Sequence, residues 1–399
     1  MKFKWKNCPL SELYDFSSGL SKNTEEFGFG FPFLSFKTVF YHYFIPDTLY
    51  ELVNTNEKEQ SRCSIKAGDI FLTKTNATVD ELGMSCVALK DYPKATFNGF
   101  TKRLRPKTPN VVYPKYAAYF FRSALFRQQI NKMVVMKTRV NLNNDMLARM
   151  KISLPPKREQ EIIGDTLYAI DTKITTNTMI NHHLEQIAQA LFKRFFIEES
   201  IDEPWGVLLD IAEINPFRPL QKGKEAVYVK MANLPTRGSF PTSWVVRPFS
   251  GGMKFMNGDT IMARISPCLE NGKTAFINFL GEGEIAFGSA EYIVISPKAT
   301  YCNEMFYYLA RYQDFVSYAV KNMNGSSGRQ RVSSESIGAY ELHIPSSETV
   351  DEFEKVADPI MKIIAHNAFE NRNLAIIRDT LLPRLMSGEL SIADLGDVK

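Results

Sequence analysis

The chain has 399 residues, 44% apolar and 23% charged, with a net charge of +4; this balance builds packed cores and excludes a disordered tail. At about 100–200 residues per domain the length predicts two or three domains, and no apolar run approaches the ~18 residues of a membrane span. Five cysteines (8, 63, 86, 268, 302), never spaced C-x-x-C, argue against a disulfide framework or a zinc ribbon. The opening Met1-Lys2-Phe3-Lys4-Trp5-Lys6-Asn7 is basic with no apolar stretch behind it, unlike a secretory leader. A reduced, cytoplasmic protein without membrane contact is expected.

In chain order, Gly68-Asp69-Ile70 opens an apolar strand-like run that ends at Lys74. Tyr116 to Ile130 reads as an aromatic-rich helix, and Ile152-Ser153-Leu154-Pro155 as a strand end. A long helix from Lys157 to Phe196 follows, about 40 residues or ~60 Å at 1.5 Å per residue. Ile261 to Ala263, Thr274 to Phe279 and Tyr292 to Ile295 are β-branched and aromatic runs set between turn residues, hence strands. Asn303 to Val320 reads as a second aromatic helix, and a second long helix begins after Pro345, since proline suits a boundary. Pro359 and Pro383 are places where that helix could kink.

The chain repeats itself, the first thing to test in a sequence of this length. Gly68-Asp69-Ile70 recurs as Gly258-Asp259-Thr260, and Ile152-Ser153-Leu154-Pro155 as Leu342-His343-Ile344-Pro345. Asn181-His182-His183-Leu184 recurs as Asn371-Arg372-Asn373-Leu374, and Leu191 through Arg194 as Leu381 through Arg384. All four pairs are 190 residues apart. The expected boundaries are a first globule over 1–152, a helix over 153–198, a second globule over 199–345, and a second helix with its tail over 346–399. Each globule should be mixed α and β.

Both long helices carry a heptad seam, the mark of a coiled coil. Ile163, Leu167, Ile170, Ile174, Asn177, Asn181 and Leu184 form the first; Phe353, Ile360, Ile364, Asn367, Asn371 and Leu374 form the second. The connectivity makes the two helices antiparallel if they pack. Asparagines inside a seam either fix register at a cost in stability or sit at its wet edge, and the pattern leaves both open.

Charge is unevenly spread. Residues 1–150 hold 22 Lys+Arg against 13 Asp+Glu, or +9, whereas 199–345 hold 14 against 15, or −1. A basic first third suits a polyanion such as nucleic acid, or a surface kept soluble.

Enzyme signatures fail one by one. Asn271-Gly272-Lys273-Thr274 ends like a phosphate-binding loop, but Pro267 stands where its first glycine belongs and a strand follows. Gly281-x-Gly283-x-x-Ala286 opens no helix and reads as a hairpin turn. No Asn/Asp-Pro-Pro-Tyr/Phe is present, and Pro46-Asp47 has no acidic-x-Lys within thirty residues. The five histidines (42, 182, 183, 343, 366) have no metal spacing. An enzyme with an unrecognised centre, a nuclease or a solitary modification enzyme, is the competing reading, tested by turnover of the chain alone with S-adenosylmethionine or Mg²⁺ and DNA.

Asn257-Gly258-Asp259-Thr260-Ile261-Met262-Ala263-Arg264-Ile265-Ser266-Pro267-Cys268-Leu269-Glu270-Asn271-Gly272-Lys273, followed by Phe287-Gly288-Ser289-Ala290-Glu291-Tyr292, resembles a target-recognition domain of type I restriction–modification specificity subunits. Leu154-Pro155-Pro156 with Glu159-Gln160, and Leu381 to Leu390, are similar to that family's two conserved helices. The first globule departs from the motif, with Thr73-Lys74-Thr75-Asn76 after its Gly-Asp.

The resemblance implies two globular α/β target-recognition domains joined by two long antiparallel coiled-coil helices, in a pseudo-two-fold repeat. It implies a non-catalytic subunit that reads an asymmetric, bipartite double-stranded DNA target. The implied partners are two methyltransferase subunits and two restriction subunits, with S-adenosylmethionine, ATP and Mg²⁺ bound by those partners. Candidate DNA contacts are Lys74, Lys102, Arg103, Arg105 and Lys107 in globule one, and Arg264, Lys273, Ser327, Arg329, Gln330 and Arg331 in globule two. Lys137 and Arg139 are taken as the counterpart of the 325–331 loop at an offset of 192. His182, Glu185, Gln189 and Lys193 on the first helix, and Arg372, Ala375 and Asp379 on the second, are expected to face outward as the methyltransferase dock.

Overall fold

A computed structural model describes residues 5–75, 81–134, 141–326 and 328–390. The chain forms two compact units, residues 1–173 with 374–399, and residues 174–373. Each takes a stretch of both long helices.

In the first unit the strands are β1 (Lys6–Pro9), β2 (Tyr14–Ser18), β3 (Phe27–Leu34), β4 (Leu52–Val53), β5 (Ile70–Thr73), β6 (Ser85–Val87), β7 (Thr96–Phe97), β8 (Thr101–Pro106) and β9 (Lys151–Leu154). They form an antiparallel sheet β2-β8-β5-β6, a mixed sheet β4-β3-β7 and the pair β1-β9. Two helices, α1 (Pro114–Phe120) and α2 (Ala124–Val134), lie where one was expected. Ser123 makes the break: its carbonyl accepts Arg127 N at 3.0 Å and its hydroxyl accepts Phe126 N at 3.4 Å, so it opens a new helix. Helix α3 (Asn144–Arg149) starts on Asn143, whose side chain accepts Met146 N at 2.8 Å, a helix-capping role that asparagine fills well.

Helix α4 (Lys157–Lys193) begins directly after Pro155-Pro156, with the Glu159 amide on Pro156 O at 2.9 Å. In the second unit the strands are β10 (Trp205–Val207), β11 (Ala212–Ile214), β12 (Glu225–Val229), β13 (Val245–Pro248), β14 (Lys254–Phe255), β15 (Thr260–Ala263), β16 (Thr274–Phe276), β17 (Ala286–Gly288), β18 (Tyr292–Pro297) and β19 (Glu341–His343). The sheets are β11-β18-β15-β16, β13-β12-β17-β14 and β10-β19. Helices α5 (Asn303–Arg311) and α6 (Gln313–Lys321) split the second expected helix at Tyr312, whose backbone is extended. The final helix, α7 (Ser347–Ser387), runs through Pro359 and Pro383. Ser346 caps its start, accepting Thr349 N at 3.2 Å.

The duplication is structural as well as sequential. Sheet β2-β8-β5-β6 has the same order as β11-β18-β15-β16. Ile70 faces Leu104 as Thr260 faces Ile295. Even the repeated Gly-Asp turn is alike. Gly68 and Gly258 have φ of 85° and 90°, a conformation glycine adopts without penalty. Asp69 accepts Lys66 N and Asp259 accepts Met256 N, both at 2.8 Å.

The helices pair antiparallel within each unit. In the first unit Ile163, Leu167, Leu385 and Met386 share one core, and Asp171 bonds Arg378 at 2.7 Å. In the second, Phe353, Ile360 and Ile364 lie in the main core with Leu184 against it; Ile170, Ile174 and Leu374 are half-buried. The seam asparagines are bonded across it. Asn177 donates to Glu370 at 2.6 Å and to Asn371 Oδ1 at 3.0 Å; Asn367 donates to Asn181 Oδ1 at 2.8 Å. Asn181 itself donates to Ile364 O at 3.1 Å. Asn177 is 1% exposed, so the pairing satisfies a buried amide that would otherwise cost about 1–3 kcal/mol.

Candidate nucleic-acid interface

In the second unit three segments converge at the end of β15. Arg264 N donates to Glu291 O at 3.0 Å, Val332 N to Arg264 O at 3.0 Å, and Ser266 N to Gln330 O at 3.0 Å. Asn324 and Arg331 exchange two main-chain bonds at 2.9 Å. Main-chain bonds thus fix the 324–331 loop beside the Ile265–Lys273 turn, whatever its side chains are.

Side-chain chemistry then sorts the candidates. Arg331 lies bidentate on Glu291, Nε to both carboxylate oxygens at 3.0 and 2.9 Å and Nη2 to Oε1 at 2.7 Å. That contact holds the Glu291 carboxyl below the usual range, with Arg264 adding to it. Arg331 therefore braces the loop. Arg329 and Gln330 are exposed, and no hydrogen bond of their side chains is found among the described residues. They are the donors left for a ligand, together with half-buried Arg264. Lys273 points elsewhere, its amine on Met231 O at 2.8 Å. Ser327, Lys137 and Arg139 lie outside the described residues.

In the first unit the same main-chain bonds recur. Lys74 N donates to Phe100 O at 2.8 Å, and Leu142 N to Lys74 O at 2.9 Å. Thr75 bridges Asn141 as Ile265 bridges Arg331. The counterpart of Arg331 is therefore Asn141, at an offset of 190, and not Arg139 as the 192 spacing suggested. The counterpart of Glu291 is Phe100, 61% exposed, which reading the sequence for basic residues missed; following the 190-residue repeat through strand pairing finds it.

The basic run 102–107 turns inward. Arg105 grips the carboxylate of Asp69, Nε at 2.8 Å and Nη2 at 2.5 Å, and also Ser64 O at 2.9 Å. Asp69 is fully buried and needs this counterion. In the second unit Arg218 does the same for Asp259, at 2.5 and 2.7 Å. Arg103 donates to Ser64 O at 2.6 Å, and Lys102 to Asn144 at 2.8 Å. Burial lowers the pKa of both, with Lys74 adding to the effect on Lys102 and Arg105 to that on Arg103. Lys107 reaches Ser11 O at 2.7 Å. Of the basic candidates described in this unit, Lys74 alone has no partner for its amine among the described residues.

Of the helix residues expected to face outward, His182, Lys193, Arg372 and Asp379 are exposed, while Glu185, Gln189 and Ala375 are half-buried. Glu185 accepts Tyr307 OH at 3.2 Å, Gln189 donates to Tyr308 O at 3.4 Å, and Lys193 pairs with Glu198 at 2.7 Å. On α7, Arg372 lies 4.0 Å over the Trp244 ring, and Tyr308 OH donates to the Met361 sulfur at 3.3 Å. In the first unit Asp379 is 2.9 Å from Arg378. Each long helix also leaves apolar side chains exposed in the second unit. Ile180 and Ile187, one heptad apart, are 42% and 52% exposed; Val356 and Ile363, one heptad apart, are 41% and 46% exposed.

The chain thus forms two mixed α/β units with a duplicated strand order, each built on antiparallel long helices. Residues 3–186 match the family described as Type I restriction modification DNA specificity domain. Over that stretch the chain resembles the specificity subunits of type I restriction–modification systems. It is 22% identical over 371 residues to the type I restriction enzyme MjaIX specificity subunit of Methanocaldococcus jannaschii, covering 86% of this chain and 83% of that one. It is 22% identical over 324 residues to the HindI specificity subunit of Haemophilus influenzae, covering 62% of this chain and 70% of that one. The S subunit of a type I system from M. genitalium has the same fold, with a TM-score of 0.63 at 14% identity over 96% of both chains. Among the described residues no group of three His, Cys, Asp or Glu side chains is placed to hold a metal ion, and no helix is long and apolar enough to cross a membrane.

Proposed function

We propose that this chain is the non-catalytic, cytoplasmic DNA-reading scaffold of a type I complex, each unit reading one half of a bipartite, asymmetric duplex target. The observation that carries this is the duplicated tip: Lys74, Phe100 and Asn141 in one unit occupy the main-chain positions of Arg264, Glu291 and Arg331 in the other. Like frameworks with unlike side chains suit two different half-sites, because main-chain and phosphate contacts position while side chains at base edges specify. Mapping methylated adenines in the host genome tests it. Two unlike half-sites separated by a fixed gap are expected, and replacing residues 1–150 with those of another family member should change one half only. A palindromic motif, or a change in both halves, would refute independent reading.

Under this proposal the long helices space the halves and dock two methyltransferase and two restriction subunits, which bring S-adenosylmethionine, ATP and Mg²⁺. The supporting feature is the exposed apolar residues of the long helices, among them Ile187 and Ile363. Changing Ile187 and Ile363 together to Asp should weaken association with the methyltransferase subunit about tenfold or more, 1.4 kcal/mol per decade, with unfolding unchanged. Native mass spectrometry reads both the loss and the stoichiometry. One methyltransferase subunit per chain at saturation would defeat the two-dock arrangement.

A further inference from the structure

We propose that Phe100 is a specificity-determining residue, making an apolar contact with a base of duplex DNA where the second unit presents its Glu291–Arg331 pair; this rests on the reading of both units as DNA-recognition modules. The ring stands on a braced backbone. Phe100 N donates to Asn98 Oδ1 at 2.7 Å, Gly99 N to Leu20 O at 2.7 Å, and Thr101 N to Asn98 O at 3.0 Å. Gly99 has no room for more: a Cβ there would lie 2.5 Å from Ser21 Oγ and 2.8 Å from Leu20 O. The loop is therefore shaped to hold its tip still, yet the tip is a phenylalanine left 61% exposed.

An exposed apolar side chain alone means little. The position is what gives this one meaning. It is the main-chain equivalent of Glu291, beside the loop that carries Arg329 and Gln330, and Lys74 is hydrogen-bonded to it through the backbone. Lys74 has no amine partner among the described residues, and the first 150 residues carry a balance of +9. A cation beside an apolar tip matches the chemistry of a duplex, phosphate outside and base within. A benzyl group has no donor or acceptor, so it reads by apolar contact: the 5-methyl of thymine, or the face of a base at an opened step.

The test uses the full chain co-expressed with its methyltransferase subunit, with adenine methylation mapped across the host genome. Phe100→Ala should tolerate other bases at a single position of one half-site and leave the other half unchanged; Phe100→Leu should restore part of the selectivity. Binding of the wild-type complex to duplexes carrying uracil for thymine at that position then separates the two contacts. A loss of about four-fold, the worth of one buried methyl, assigns the contact to the methyl; full binding assigns it to the base face. Both sustain an apolar reading residue. An unchanged motif in Phe100→Ala overturns the proposal, as does a melting temperature lowered by more than about 3 °C, the effect of roughly 1 kcal/mol in a domain of this size, which would make the ring part of the core. Absence of any bipartite motif in the wild type would instead defeat the DNA-reading function itself.

Discussion

The two units carry the same four-stranded sheet in the same order, yet they keep different residues at the same places. At the framework level the difference is one of origin: Asp69 takes its counterion from Arg105 on β8, whereas Asp259 takes it from Arg218 on the loop after β11. At the tip the difference is one of kind, a bare Phe100 against an ion-paired Glu291. The lesson is that buried requirements are conserved between the copies while the means of meeting them are not. At the tip the shared main-chain bonds leave the side chains free to diverge.

The largest effect should come from breaking the framework. Arg105→Ala leaves Asp69 buried without its partner, a change that costs about 3–5 kcal/mol. Chemical denaturation should show it, and Arg218→Ala should do the same through Asp259. If Arg105 instead contacted DNA, the variant would keep its stability and lose affinity.

A second prediction separates the units by pH. Glu304, on the first turn of α5, is 5% exposed with Oε2 unpartnered. Burial pushes its carboxyl up to about 7, nearby Asp358 and Glu354 add to the rise, and its own backbone amide and Lys362 oppose it. Lys362 is itself paired with Asp358 at 2.7 Å. A carboxyl with a folded pKa above its unfolded value stabilises fully at low pH and loses that contribution as pH rises through about 7. Its removal in Glu304→Gln should flatten this loss, on the order of 3 kcal/mol between pH 4 and 8 at 1.36 kcal/mol per unit. The corresponding helix of the first unit has no acidic residue in its first turn and opens Tyr113-Pro114-Lys115, with Lys115 on Asp165 at 2.8 Å. Unfolding curves of both proteins across this pH range check it; parallel curves would place the charged form of Glu304 in a solvated site.

The smallest effect sharpens the tip comparison. Arg329→Ala should weaken binding of the selected duplex by about 1–3 kcal/mol and relax one position if Arg329 pairs with a base edge. If Arg329 holds a phosphate, every sequence should weaken alike and the salt slope fall by about one. Arg331→Ala should act through the loop it braces, so Arg331→Lys, which cannot reproduce the bidentate contact, should fall between wild type and alanine.

Much of this architecture was legible in the residues. The 190-residue repeat and the two heptad seams located the duplication and both long helices, because periodicity is written among neighbours a few positions apart. The capped starts at Asn143 and Ser346 and the proline boundary at Pro155-Pro156 are of the same local kind. The antiparallel pairing followed from connectivity. The destination of the basic run at 102–107 was not legible. Lysines and arginines read as surface by composition, and their partners here lie far along the chain: Asp69 is 36 residues from Arg105, and Ser64 is 39 from Arg103. The break of each aromatic helix at Ser123 and Tyr312 was equally hidden, since apolar periodicity runs straight through both.

The sequence by itself therefore determined the mixed α/β class, the duplication, the seam and the motif around Arg264. Only the tertiary structure decided which cations are spent inside, that Asn141 and Phe100 answer Arg331 and Glu291, and which apolar residues of the long helices stay exposed. The physical reason is that secondary structure and repeats follow from local periodicity, whereas a charged or aromatic side chain is assigned to core or ligand by what folding brings against it, and a buried Asp 36 positions away can claim an arginine that composition would have given to DNA.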